Sequence, residues 1–187
     1  MKTEQQYFEE SMSMAQYMDQ MTTHLKEPSF KVYESFNVNS EDEVFQLLKE
    51  HKPHILTITE DWCGDAMLNN PVMRKIAEEA DLDIRCAFRD ADTDLIDRHL
   101  TNGGRAIPIY LFLNAQGEVI GKWGPRAPQL QQMVTDMRAQ LPEKDDPSFE
   151  EKQKQLYTTL QEKYVQDPQC AKWVYEDIKA IITKALS

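Results

Sequence analysis

The chain has 187 residues with 32 acidic against 21 basic side chains, a net charge of −11, and an ordinary apolar and aromatic content of 41% and 9%. That length supports one good core with appended helices, and that composition excludes wholesale disorder. The acidic balance, with no basic run, excludes the clustered Lys and Arg on which nucleic-acid and anionic-membrane binding rest.

No stretch approaches the ~20 consecutive apolar residues of a membrane span, and Met1 to Gln6 is polar, unlike a secretory signal. Cys63, Cys86 and Cys170 are odd in number and far apart, which argues against a disulfide framework and for a reducing, cytoplasmic setting.

In chain order, Tyr7, Phe8, Met12, Met14, Tyr17, Met18, Met21 and Leu25 recur at three- and four-residue intervals and predict an amphipathic helix over 4–26, stopped near Glu27-Pro28. Its Met-rich stripe reads as core packing, with a binding or dimer face as the alternative. Phe30 to Val38 reads as a strand or extended entry, and Ser40 to Glu43 as a capping-box-like start of a helix reaching His51. The β-branched run His54 to Thr59 predicts a buried strand. Asp61-Trp62-Cys63-Gly64-Asp65-Ala66 follows it and opens a helix to about Ala80.

Leu82 to Phe88 predicts a strand, Asp92 to Leu100 a short helix, and Ile107 to Leu113 a strand opened by proline. Asn114 to Gly117 is a turn, Glu118 to Trp123 a returning strand, and Pro128 to Leu141 a helix. An acidic linker at 142–147 precedes two further helices, one bearing Leu156, Tyr157, Leu160 and Tyr164, the other Trp173, Val174, Ile178 and Ile182.

The Trp62-Cys63-Gly64 turn, Pro71 eight residues after Cys63, the segment Arg105-Ala106-Ile107-Pro108, and Gly117 and Gly124 together resemble the thioredoxin superfamily, within it a bacterial subgroup with a Trp-Cys-Gly-Asp turn and helical extensions. The resemblance spans about residues 30–140. It implies an α/β thioredoxin-like fold, a central mixed sheet flanked by helices, over 29–141, between helical extensions at 1–28 and 142–187. It also implies a cis peptide bond at Pro108, and a site in which Cys63 reacts while Trp62, Gly64, Asp65, Ile107 and Pro108 contact substrate. No cofactor and no metal are called for. The partners implied are protein or small-molecule thiols and disulfides.

Two departures bear on function. Ala66 stands where a resolving cysteine would finish a dithiol cycle, and Thr57 stands where the family often buries an aspartate. Cys63 at a helix N-terminus gains thiolate stabilisation from unpaired N–H groups, but Glu60, Asp61 and Asp65 oppose it and no cation lies in the turn. The sequence therefore predicts a mildly activated thiol, about one unit below a free value near 8.5.

The remaining clusters carry little. Pro53 breaks the alignment of His51 and His54, and Asp90, Asp92, Asp94 and Asp97 lack the glycine and glutamate of a calcium loop. Cys86 reads as a buried structural thiol, and Cys170 as a residue with little prospect of bridging to Cys63. Two functions remain open: monothiol exchange on oxidised or mixed-disulfide protein thiols, and a thioredoxin-fold binding module without turnover. A third reading is a homodimer built on the Met/aromatic helix or the Trp173 face, with redox activity incidental.

Overall fold

A computed structural model describes all 187 residues. Helix α1 (Glu4–Glu10) is followed by a two-residue strand β1 (Met12–Ser13) and helix α2 (Met14–Gln20). The single helix expected over 4–26 is thus broken at Ser11, because Thr3 and Ser13 each cap a separate helix with a reciprocal capping box.

Helix α3 (Lys26–Ser35) occupies the region expected to be a strand. Pro28 lies in its first turn, where no intrahelical N–H is required, so the proline starts the helix rather than ending one. Ser29 and Val32, three apart, are its buried positions. The expected division between residues 28 and 29 therefore falls inside a helix.

Helix α4 (Glu43–His51), strand β2 (His54–Thr59), helix α5 (Gly64–Ala80), strand β3 (Ile84–Phe88) and helix α6 (Thr93–Asp97) follow as anticipated, α6 being shorter. The α4 cap is Asp42, whose carboxylate bonds Tyr175 and Lys179 instead of the helix amides. Strands β4 (Ile109–Leu113) and β5 (Val119–Trp123) form a hairpin before α7 (Pro128–Arg138), α8 (Phe149–Gln166) and α9 (Pro168–Leu186). No helix is long and apolar enough to cross a membrane.

The five strands form one mixed sheet in the order β1-β3-β2-β4-β5. The β2 and β3 strands are parallel, pairing Thr57 with Cys86, and β2 and β4 are antiparallel, pairing Thr57 with Tyr110. Period-two alternation divides the core. Ile55, Tyr110 and Phe112 face a large cluster built with α2–α5 and α7–α9, whereas Leu56, Ile58, Ile109 and Leu111 face a smaller one closed by Tyr7 and Phe8 of α1 and Leu95 and Ile96 of α6. Met14, Tyr17, Met18, Met21 and Leu25 are buried in the larger cluster, so the Met-rich stripe is core.

Pro71 sits inside α5 and has no N–H to give the carbonyl of Met67. The hydroxyl of buried Ser29 donates to that carbonyl instead, at 2.9 Å, which ties α3 to the helix behind the Cys63 turn.

Candidate functional site around Cys63

Cys63 is the N-cap of α5, and its Sγ accepts from the Ala66 N–H at 3.5 Å. The thiol in turn donates to the carbonyl of Ile107 at 3.6 Å. The Ile107–Pro108 peptide is cis, as the resemblance implied, and Gly124–Pro125 is also cis. The Ile107 N–H has no hydrogen-bond partner within the chain, and the residue is 5% exposed.

The turn is held from outside by the α2–α3 connection. The Thr22 N–H donates to the Asp61 carboxylate at 3.0 Å, and the Thr23 hydroxyl to the Asp61 carbonyl at 2.6 Å. Trp62 is left 51% exposed, with the Arg89 guanidinium 5.0 Å from its ring centroid. Arg89 itself is paired with Asp90 and bonded to the Arg105 carbonyl. Asp61 and Trp62 are thus fixed by side chains distant in sequence.

Asp65 is not a free carboxylate. Its Oδ2 lies 2.8 Å from Arg126 Nη2, and its Oδ1 accepts from the Tyr164 hydroxyl at 2.7 Å. The Asp65 and Arg126 side chains are only 12% and 15% exposed. The sequence singled out Asp65 but missed both partners, which come from the β5–α7 loop and from α8. The aromatic stripe of α8 was visible as a helix face, with no local signal that it converges on the turn.

The expectation of a mildly activated thiol is corrected. Cys63 is 9% exposed, and burial, reinforced by the Asp65 charge, pushes its pKa up to about 12; the Ala66 and Asp65 amides and Arg126 oppose this without overcoming it. The helix terminus and the nearby charges are visible in the sequence, but desolvation, which disfavours the charged form, is not.

Gly64 marks how close α8 comes. A Cβ there would meet Gln161 Cγ and Nε2 at 3.1 Å. Between the turn and α8 lies a cleft of about 390 Å³, lined by Trp62, Cys63, Gly64, Asp65, Arg126, Tyr157, Leu160, Gln161 and Tyr164. The Ile107 carbonyl meets the Cys63 thiol, and neither Ile107 nor Pro108 lines this cleft.

The other two cysteines stand apart. Cys86 is buried with its Sγ 3.4 Å from Met14 Sδ, and Cys170 is buried at the start of α9, where its thiol donates to the Lys163 carbonyl. Both belong to the large core cluster while Cys63 belongs to the small one, and all three are free thiols. Thr57 is fully buried in mid-β2, and its Oγ1 has no partner. Three of the four aspartates at 90–97 are spent separately: Asp90 on Arg89, Asp92 on Tyr7 and the Asp94 amide, and Asp97 on Arg105.

The chain belongs to the thioredoxin family: the family model described as thioredoxin matches residues 11–138. Two solved structures share the fold over nearly their whole length. A protein of unknown function from Pseudomonas aeruginosa is 15% identical, with 99% of each chain covered and a TM-score of 0.66. An HIV epitope-scaffold is 16% identical, covering 98% of this chain and 99% of its own, with a TM-score of 0.67. No curated protein matches the chain. At these identities the likeness carries the fold alone.

Proposed function

We propose that this protein performs monothiol thiol–disulfide exchange through Cys63, acting on oxidised or mixed-disulfide protein thiols in a reducing, cytoplasmic setting. The observation that carries this reading is the position of Cys63 Sγ. It lies between the Ala66 N–H and the Ile107 carbonyl, beside the cis-Pro108 loop and at the edge of an open cleft. An extended substrate segment would pair with the unpartnered Ile107 N–H and bring its disulfide to the thiol. Trp62 and Gly64 shape the approach, and Asp65 acts from behind the turn through Arg126.

Ala66 leaves no resolving thiol in the turn, so a second, external thiol completes the cycle. Exchange is slow at neutral pH. The scarcity of thiolate at a pKa of about 12 outweighs the greater nucleophilicity of a more basic thiolate, and the net cost is roughly a hundredfold against an ordinary thiol.

That raised pKa favours a second reading, a binding module that keeps the thioredoxin groove without turnover. Cys63→Ser separates the two. Exchange predicts that the variant folds normally and loses thiol transfer to a mixed-disulfide peptide; equal transfer by the variant removes the exchange reading. Undiminished peptide binding without any transfer by the native protein establishes the module.

A further inference from the structure

We propose that the cleft between the Cys63 turn and α8 holds the low-molecular-weight half of a mixed disulfide, while the protein half lies along the Ile107–Pro108 edge. This rests on the exchange reading above and names its substrate class: a protein cysteine disulfide-bonded to a small thiol carrying carboxylate or amide acceptors.

The two flanks of Cys63 differ in what they can receive. On one, the Ile107 N–H has no partner in the chain, and backbone pairing suits a polypeptide. On the other, α8 closes the approach. The Tyr164–Asp65 hydrogen bond and the Gln161 side chain over Gly64 anchor this helix to the turn. The space left, about 390 Å³, falls near the lower end of the roughly 300–1,000 Å³ typical of small-ligand sites, and a folded chain cannot enter it.

The walls suit a metabolite-sized polar group. Trp62 and Tyr157 offer aromatic surface, Gln161 a carboxamide that both donates and accepts, and Arg126 a cation whose buried Nε–H has no acceptor in the chain. Arg126 already neutralises Asp65, so the cleft presents no unpaired negative charge to repel a carboxylate.

In the step proposed, Cys63 releases its proton to solvent and its sulfur attacks the sulfur of the small thiol. A new disulfide forms between Cys63 and the small thiol as the original disulfide breaks. The protein sulfur leaves as a thiolate and takes up a proton. No net oxidation occurs, since one disulfide replaces another. A second low-molecular-weight thiol then attacks the small sulfur, leaves with it as a disulfide and returns Cys63 to the thiol.

The test uses the full chain and a cysteine-containing peptide disulfide-bonded to glutathione as the probe. After acid quench, mass spectrometry reads whether Cys63 carries glutathione or the peptide. The proposal expects glutathione adducts to exceed peptide adducts at least tenfold, and that ratio to fall at least tenfold in Gln161→Trp, which fills the cleft. Tyr157→Ala, at a half-buried site, is the second variant should Gln161→Trp not fold; a threefold or greater fall is expected. An unchanged ratio in a variant of native melting behaviour overturns the cleft assignment, and so does a native adduct that is mainly peptide; either leaves exchange itself standing. Absence of both adducts overturns the exchange reading and this proposal with it.

Discussion

Arg126 and Asp65, sixty-one positions apart, form a 2.8 Å ion pair immediately behind the Cys63 turn. The pair brings one charge of each sign to bear on a single thiol. Asp65 pushes the Cys63 pKa up and Arg126 pulls it down.

The two charges therefore predict opposite kinetic effects. Asp65→Asn removes the repulsion and frees Arg126, so Cys63 alkylation at pH 7.5 accelerates by about three- to tenfold. Arg126→Gln leaves Asp65 uncompensated and slows the same reaction by a similar factor, while lowering stability by about 1–3 kcal/mol for the carboxylate stranded in a nearly buried site. Iodoacetamide kinetics with peptide mapping of Cys63 measures both. A purely structural pair would shift the two rates in the same direction.

Cys63 reactivity is expected to climb with pH without an early plateau. Its pKa of about 12 predicts a nearly tenfold rise in alkylation rate per unit from pH 7 to 10, where a free thiol levels off above pH 9. A plateau by pH 9 would show that burial does not govern this thiol.

Stability carries the same signature. The folded pKa lies above the ordinary value of 9.0, so the unfolded chain deprotonates first and stabilisation is lost as pH rises from about 9 towards 12. The loss from this one group approaches about 1.4 kcal/mol per pH unit within that window. Denaturant titrations of the native protein and Cys63→Ala at pH 8 and 10.5 are expected to show a flatter alkaline decline in the variant.

Gly64 and Gln161 are coupled by contact. Alanine at the start of α5 gains helix propensity worth about 0.5–1 kcal/mol, but its Cβ meets the Gln161 side chain at 3.1 Å. Gly64→Ala is expected to be neutral or destabilising alone and stabilising in a Gln161→Ala background. A double-mutant cycle on denaturation midpoints reads the coupling.

Ser29 substitutes for the amide that Pro71 lacks. Ser29→Ala strands the Met67 carbonyl and costs about 1–3 kcal/mol. Pro71→Ala restores an N–H at the right position in α5 and is expected to recover much of that loss, again measured as a cycle. Additive effects would show that the Ser29 hydroxyl does not serve this carbonyl.

Features set by local chemistry were legible in the residues themselves. The β-branched run His54 to Thr59 forms β2 and the Cys63–Gly64 junction starts α5, whereas the cis peptide at Pro108 was implied only by the family resemblance. Phe30 to Val38 reads as a strand because its alternating apolar residues fit a strand as well as a helix. Burial of Ser29 and Val32 against the core, three residues apart, settled it as α3.

By itself, then, the sequence determined the family landmarks, the lone thiol at the head of α5 and the absence of a resolving cysteine, because each is a matter of residue type and short spacing. Only the tertiary structure decided what that thiol experiences. It set the burial that raises the Cys63 pKa, the Asp65–Arg126–Tyr164 cluster and the α8 wall of the cleft. Desolvation and long-range pairing depend on which distant groups pack together, and no local pattern around Cys63 encodes that.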